Sequence, residues 1–412
     1  MTVTAERRRR VLILAPGLPW PATNGGMLRT ANLVEGLAER FDVHLLCFRR
    51  SDGKRRDLPP RGVRVTALPH KRGRVARLWR VLALAASGRP LEYCFYDTRE
   101  MRQVLEAEAR RSDALVVECL SMAGVALSSR LPKRLPKILD SQNAEVERAL
   151  SICRQLPLGP LKARLLIHLW ALRRFERKVV SDFDACVFVA EADRDAVMRA
   201  AKEVSVPTFV VPNGVTVGDG ANGETAPIDP ERPLITFIGS LDYPPNTDAA
   251  CWLGREILPL MRAAIPGVRV RVIGRRPPVA VQALAELPGV EVIGDVVDVE
   301  PYLAEAGIVA IPLRAGGGTK LKTLEAMAAA KPVVSTSVGV EGLNVTAGRD
   351  VLVADGAESF AATLIDLCHN PQYARDLGSH AVVAARQYDW KAIRQEFERV
   401  VAQVMAEHSC AR

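Results

Sequence analysis

The stretch 307-GIVAIPLRAGGGTKLKTLEAMAAAKPVVST-336 runs from an apolar segment through three glycines and a helical pattern into a second apolar segment. GIVAIPL (307–313) and PVVST (332–336) are nearly continuous in apolar residues, as strands covered on both faces are. Between them Leu321, Leu324 and Ala328 recur at helical spacing, Thr319 stands at the N-cap position, and Lys331-Pro332 marks the stop. A strand, a helix and a second buried strand in so short a span form a βαβ unit, which requires a parallel sheet.

The same grammar extends in both directions. Toward the N-terminus, VLILAP (11–16), VHLLCF (43–48), VRVTALP (63–69), ALVVEC (114–119), PKILDS (136–141), ACVFVA (185–190) and TFVVPNGV (208–215) read as strands, with a helix from about Leu28 to Arg40 after the first. Residues 218–232 are rich in Gly, Pro and Asp without periodicity and read as a linker. The pattern then restarts with LITFIG (234–239), a helix over Asp248–Arg262, VRVRVIG (268–274), VEVIG (290–294) and the opening stretch, and it closes with DVLVA (350–354). The expected fold class is α/β, with two open Rossmann-like sheets over 1–217 and 233–385. Ligand is expected where the carboxyl ends of two such sheets face one another, in an interdomain cleft.

With 412 residues, 48% of them hydrophobic, the chain is longer than one core usually grows, in keeping with two domains. The +9 formal charge is spread over 56 Lys and Arg, and aromatics are only 5%. Without aromatics interleaved among the bases, nucleic acid is not the expected partner; an acidic small molecule or an anionic surface is. The eight cysteines fall singly, without CxxC pairing or metal-ligand spacing, which points to a reducing, cytoplasmic compartment. The apolar run before Pro16 is too short for a signal peptide or a spanning helix. Arg7 to Arg10 read either as a solvated lead-in to the first strand or as a contact to membrane phosphates.

A glycine turn that enters a helix offers backbone N–H groups and the helix dipole to an anion, and glycines let a phosphate approach closely. Gly316, Gly317, Gly318 and Thr319 are placed for this, followed by Lys320, Leu321 and Lys322, whose lysines add charge. Glu325 lies about a turn into the helix among apolar neighbours, and a partly buried carboxylate needs donors. Two ribose hydroxyls would supply them, and so would an internal arginine. The loop is neither a P-loop nor GxGxxG. Gly25-Gly26 follow the first strand, and Gly239-Ser240 the first strand of the second half; Arg275 and Arg276 follow VRVRVIG and are either anion ligands or surface charge. Asp140, Ser141, Gln142 and Asn143 are expected at the crevice rim, with Glu118 at the end of a neighbouring strand. The histidines have no partners at catalytic spacing and read as structural. HKRGRVARLWRVLALAASG (70–88) has an apolar face with a basic start, suiting either a helix packed on the sheet or an interfacial membrane helix.

FIGSLDYPPNTDAACW (237–252), VRVIGRRP (271–277) and the block VEVIGDVVDVEPYLAEAGIVAIPLRAGGGTKLKTLEAMAAAKPVVSTSVGVEGL (290–343) resemble the donor half of the retaining, two-Rossmann-domain (GT-B) glycosyltransferases of family four. PGLPWPATNGGMLRTANLVEGLAERFDVHLL at the front and QYDWKAIRQEF near the end are similar to the family's opening and closing segments, and the likeness is greatest to capsule and exopolysaccharide sugar transferases. The resemblance implies an acceptor-side domain over 1–217, a donor domain over 233–385 and a last helix over 386–412 that crosses back to the first domain. It implies transfer, with retention, of a hexose from a UDP- or GDP-linked sugar to a hydroxyl on a glycan, lipid-linked or small-molecule acceptor. No tightly bound cofactor and no metal are implied. Glu325 matches the second glutamate of the family's E-x7-E signature, which binds the donor ribose; the first falls on Gly317. Gly25 and Gly26 match the acceptor-side glycine loop, while Gly239 and Ser240 lack the Arg and Lys that often follow. Gln142 occupies a histidine-like position near the donor sugar and, with Glu118 and Lys322, completes the catalytic candidates. Peripheral contact with the inner face of the cell membrane through 70–88 fits a lipid-linked acceptor. A nucleotide-sugar epimerase and, because of Gly317, a non-catalytic nucleotide-binding scaffold are the competing expectations.

Overall fold

The computed structural model describes residues 8–22, 24–49, 59–69, 89–155, 158–201, 205–218, 227–296, 298–316 and 320–410. The segment 70–88, Arg7, most of the linker and the triplet Gly317, Gly318 and Thr319 lie outside the described residues.

The chain divides into two units, residues 1–212 with 391–412, and residues 213–390. In the first, β1 (Arg10–Leu14), β2 (Asp42–Phe48), β3 (Val63–Leu68), β4 (Ala114–Glu118), β5 (Lys137–Ser141), β6 (Ala185–Phe188) and β7 (Thr208–Val210) form one sheet in the order β3-β2-β1-β4-β5-β6-β7. Every pairing is parallel; Val11, for instance, sits opposite Val43 on one side and Ala114 on the other. Val11 through Leu14 are essentially without solvent exposure, because helices cover both faces of this central strand. Each such side chain contributes about 1.5–3 kcal/mol by leaving water.

In the second unit β8 (Leu234–Ile238), β9 (Arg269–Gly274), β10 (Val290–Gly294), β11 (Ile308–Ile311), β12 (Val333–Ser335) and β13 (Leu352–Val353) are again all parallel, in the order β10-β9-β8-β11-β12-β13. Both sheets therefore follow the Rossmann order, in which winding reverses beside the first strand: between β1 and β4, and between β8 and β11. One glycine is fixed by close approach. A Cβ on Gly274 would stand 1.7 Å from the carbonyl oxygen of Gly239, so β8 and β9 end side by side only without it.

Two helices start earlier than their periodicity predicts. The first spans Gly25–Arg40, not Leu28–Arg40, with the Asn24 side chain accepting from the N–H of Met27 at 2.9 Å. Gly25 and Gly26, expected in the preceding loop, are thus its first two residues. The helix expected over Asp248–Arg262 starts at Pro244, where a missing N–H costs nothing, and runs to Ala264. A π turn over Leu253–Ile257 interrupts it just ahead of Pro259, which has no N–H to donate back along the helix.

Residues 213–217, expected with the first half, group with the second. Val215 donates its N–H to Tyr388 O at 2.8 Å and accepts from Trp390 N at 3.1 Å, and a Cβ on Gly214 would strike the Trp390 ring. The last helix, Trp390–Cys410, packs mainly with the first unit. Its Arg394 donates to Asn32 and Glu35, and Glu398 accepts from Arg40 at 2.9 Å. Among the described residues no helix is long and apolar enough to cross a membrane.

Candidate functional site

Each unit gathers polar groups at its own switch point. In the second unit, Gly239 and Ser240 follow β8, and the helix Leu321–Ala328 rises from the loop after β11. The Ser240 carbonyl accepts from Asn246 Nδ2 at 2.8 Å, and Asn246 Oδ1 in turn accepts from the Lys322 ammonium. That ammonium lies 5.3 Å from the centroid of the Phe237 ring. A Cβ on Gly239 would come within 2.9 Å of Asn246 Nδ2 and 3.2 Å of Lys322 Nζ, so the bare glycine is what lets these groups close on the turn.

Burial pulls the Lys322 ammonium down to about 7, with Glu325 opposing and Lys320 adding to the depression. Glu325 is half-buried one turn further along, and burial pushes its carboxyl up to about 7 against the favourable charge of Lys322. Among the described residues the Glu325 carboxyl has no hydrogen bond and no ion pair; the arginine partner that would make it structural is not there. Lys322 and Glu325, three apart on one helix face, are thus both desolvated, the first held by Asn246 and the second without a hydrogen-bond partner among the described residues.

The other donor-side candidates divide. The Lys320 ammonium, expected to face a phosphate, is turned back: it donates to Gly316 O at 3.1 Å and lies 3.6 Å from Glu341, bracing the loop in which Gly316 takes φ +133°. Lys320, not Thr319, occupies the N-cap position, and Leu321 is the first helical residue. Arg276 is exposed and pairs with Asp242 at 3.1 Å. Arg275 is half-buried at the end of β9, and its carbonyl accepts from Leu241 N at 3.0 Å.

In the first unit the group forms around Glu118, the last residue of β4, which is fully buried. Its Oε2 accepts from Thr30 Oγ1 and from Gln142 Nε2, each at 3.0 Å. Its Oε1 is buried without a partner among the described residues. Burial pushes this carboxyl up to about 8; Asp140 adds to the rise, and Arg29, Thr30 and Gln142 oppose it. Gln142 stands beside Gly26, where a Cβ would lie 2.7 Å from Gln142 Oε1. Asp140 is not at a rim. It is fully buried in β5 and bound through both oxygens by Arg29, at 2.8 and 2.6 Å, while Arg29 also donates to Pro212 O at 3.0 Å. Burial opposes the Arg29 charge, and Asp140 outweighs it. Ser141 is buried as well, so only Gln142 and Asn143 emerge from that loop.

The catalytic candidates therefore fall into two groups, Glu118 with Gln142 in one unit and Lys322 in the other. Asn246, Arg29 and Thr30 hold candidate site residues and were passed over by the sequence reading. The one available signal was Pro244-Pro245, which opens the helix carrying Asn246. His44 is held by Glu108 and Thr66, a structural role. Among the described residues no three His, Cys, Asp or Glu could together hold a metal ion.

Comparison with known proteins places these features. Residues 24–214 match the family model described as glycosyl transferase 4-like domain, and residues 232–370 that of glycosyl transferases group 1. A phosphatidyl-myo-inositol mannosyltransferase of Propionibacterium freudenreichii is 28% identical over 232 residues, 52% of this chain and 55% of that protein. The chain spans about half the length of the curated relatives it matches. Among solved structures, sucrose-phosphate synthase of Thermosynechococcus elongatus superposes with a TM-score of 0.72 at 17% identity, over 97% of this chain and 100% of that one. HepE of Anabaena, solved with UDP and glucose, gives 0.65 at 14% identity, over 96% and 100%. At these identities the structures speak for the fold alone. The two family models together take in most of the described chain, which belongs to the two-Rossmann-domain, family-4-like glycosyltransferases.

Proposed function

We propose that this protein transfers a hexose, with retention of anomeric configuration, from a nucleoside-diphosphate sugar to a hydroxyl of a glycan, lipid-linked or small-molecule acceptor. One observation carries the reading: Glu325 is a desolvated carboxyl without a partner among the described residues, one turn from a helix start and three residues after Lys322, whose ammonium lies at the Gly239-Ser240 turn, on the helix after β11 at the switch point of a Rossmann sheet. Two vicinal ribose hydroxyls supply the two donors this carboxylate lacks. The diphosphate then falls at the helix start and the glycine turn.

Lys322 suits the leaving group. A buried ammonium interacts more strongly as negative charge grows on the departing diphosphate, so its stabilisation is stronger in the transition state than in the resting site. Gln142 cannot act as a base, and Glu118, raised to about 8 and inaccessible, holds its own proton at neutral pH. Their role in this reading is to fix the Gly26 and Gln142 edge. The departing phosphate removes the proton from the incoming hydroxyl, which fits a retaining transfer. The Anabaena structure was solved with UDP and glucose, so uridine and glucose are the first donor components to try. The Propionibacterium relative carries a lipid acceptor in its name, so lipid-linked hydroxyls belong in the acceptor panel. The eight free cysteines fit a cytoplasmic setting.

The test is incubation with UDP- and GDP-sugars and an acceptor panel, with product followed by NMR. An α-linked product from an α-donor is expected. A β-linked product overturns retention, interconversion of nucleotide sugars without acceptor points to an epimerase, and tight nucleotide binding without turnover points to a scaffold.

A further inference from the structure

The helix Pro160–Asp182 in the first unit has one face that no other described element covers. Leu165, Leu169, Leu172, Phe175, Val179 and Val180 pack inward on the core beside β4 and β5. The opposite face opens with Leu166, Ile167 and Trp170, which are 52%, 74% and 62% exposed, and Leu158 just before the helix is 93% exposed. Leu166, Ile167 and Trp170 lie in the first half of the helix, and Leu158 two residues before it. Next on the same face come Arg173, Arg174, Arg177 and Lys178, all exposed, with Arg164 beside the apolar group. The spacing 163, 166, 167, 170, 173, 174, 177 is one stripe of an α-helix. Trp170 sits at the junction, with the Arg174 guanidinium 5.2 Å from its ring centroid.

Acid is missing from this stripe. Between Leu158 and Lys178 the one acidic residue is Glu176, which is buried and accepts the Glu145 N–H at 3.0 Å. Exposed leucine, isoleucine and tryptophan at one end, rimmed by guanidinium and ammonium groups, match the boundary of a bilayer in which acyl chains lie beneath anionic headgroups. A second copy of the chain is a poor occupant, because two such faces would bring their cations together.

We propose that this face docks the protein on an anionic phospholipid bilayer, with Leu158, Leu166, Ile167 and Trp170 entering the headgroup–acyl boundary and Arg164, Arg173, Arg174, Arg177 and Lys178 at the level of the phosphates. The contact is peripheral, and it stands whether or not the transfer reaction proposed above is correct.

The test is flotation of the full chain with vesicles of phosphatidylcholine alone and of phosphatidylcholine with phosphatidylglycerol, in low and high salt. Wild-type protein is expected to float with the phosphatidylglycerol vesicles, to be released at high salt, and to stay in solution with phosphatidylcholine alone. The double variant Ile167→Glu/Trp170→Glu and the double variant Arg173→Glu/Arg174→Glu should each lower vesicle partitioning at least tenfold. Because the four side chains are exposed, melting temperature and circular dichroism should not change. Trp170→Phe should still float. Failure of wild type to float with anionic vesicles overturns the proposal. So does unchanged flotation of both double variants, which would put the membrane contact elsewhere. A wild-type dimer in light scattering that the Ile167→Glu/Trp170→Glu variant splits into monomers would give this face to a second copy and overturn it too.

Discussion

Replacing Glu325 by Gln removes the charge and keeps the shape, and its consequences follow from the carboxyl's position. If the carboxylate accepts from both ribose hydroxyls, losing its charge costs about 1.5–3 kcal/mol of nucleoside-diphosphate affinity, the scale of charge-assisted hydrogen bonds. That is roughly a ten- to hundredfold rise in Kd. The full loss appears only where the wild-type group is ionised. With its carboxyl raised to about 7, the affinity advantage of wild type over the variant should grow as pH rises from 6 to 8, the loss of the Lys322 charge over the same window being common to both proteins. The ionised fraction grows from roughly a tenth to nine tenths over that window, up to about a tenfold gain. Stability moves the other way. The folded chain keeps a proton on Glu325 up to about 7 that the unfolded chain releases near 4.5, so this group's contribution falls as pH rises between those values. At pH 8 the ligand-free variant should therefore melt no lower than wild type. Calorimetric titration with UDP and 2′-deoxy-UDP completes the cycle: the deoxy penalty should be large in wild type and small in Glu325→Gln. Equal deoxy penalties in both proteins would refute the ribose contact, and a lower melting temperature with unchanged affinity would make Glu325 a structural group.

Gly239→Ala should weaken nucleoside-diphosphate binding about tenfold, roughly 1.4 kcal/mol, at little cost in melting temperature, because the new Cβ meets only the ends of Asn246 and Lys322. Gly274→Ala is different, since its Cβ would stand 1.7 Å from a backbone oxygen. Denaturant unfolding should show a loss of about 3 kcal/mol or more, the upper range of overpacking. Asp140→Ala removes the carboxylate that binds the fully buried Arg29 guanidinium through two hydrogen bonds and should cost about 3–5 kcal/mol by the same measurement. Glu118, whose carboxyl is raised to about 8, keeps its proton in the folded chain and loses it in the unfolded one from about 4.5 upward, so wild type should lose stability across that window. Glu118→Leu should flatten that part of the pH–melting profile.

The fold was legible because many of the strands are short, nearly unbroken apolar runs whose burial on both faces leaves no competing period; VLILAP and GIVAIPL read as strands without help from any neighbour. Starts of helices were less legible. Gly25-Gly26 and Pro244-Pro245 read as loop by composition, yet Asn24 caps the one and proline is at ease in the first turn of the other. What the sequence could not carry is pairing at a distance. Arg29 meets Asp140 across 111 positions, and Lys322 meets Asn246 across 76. Neither partner bears a local mark of the other, so Asp140 read as a rim acid although it is the buried counter-charge of an arginine.

Hydrogen–deuterium exchange of the full chain, with and without saturating UDP or GDP, tests the placement of the nucleotide most directly. The account predicts slower exchange in peptides covering 239–241 and 314–325, and in Glu325→Gln the same peptides protected only at higher nucleotide concentration. Protection confined to peptides outside residues 213–390, or nucleotide binding that leaves both of those peptides unprotected, would contradict it.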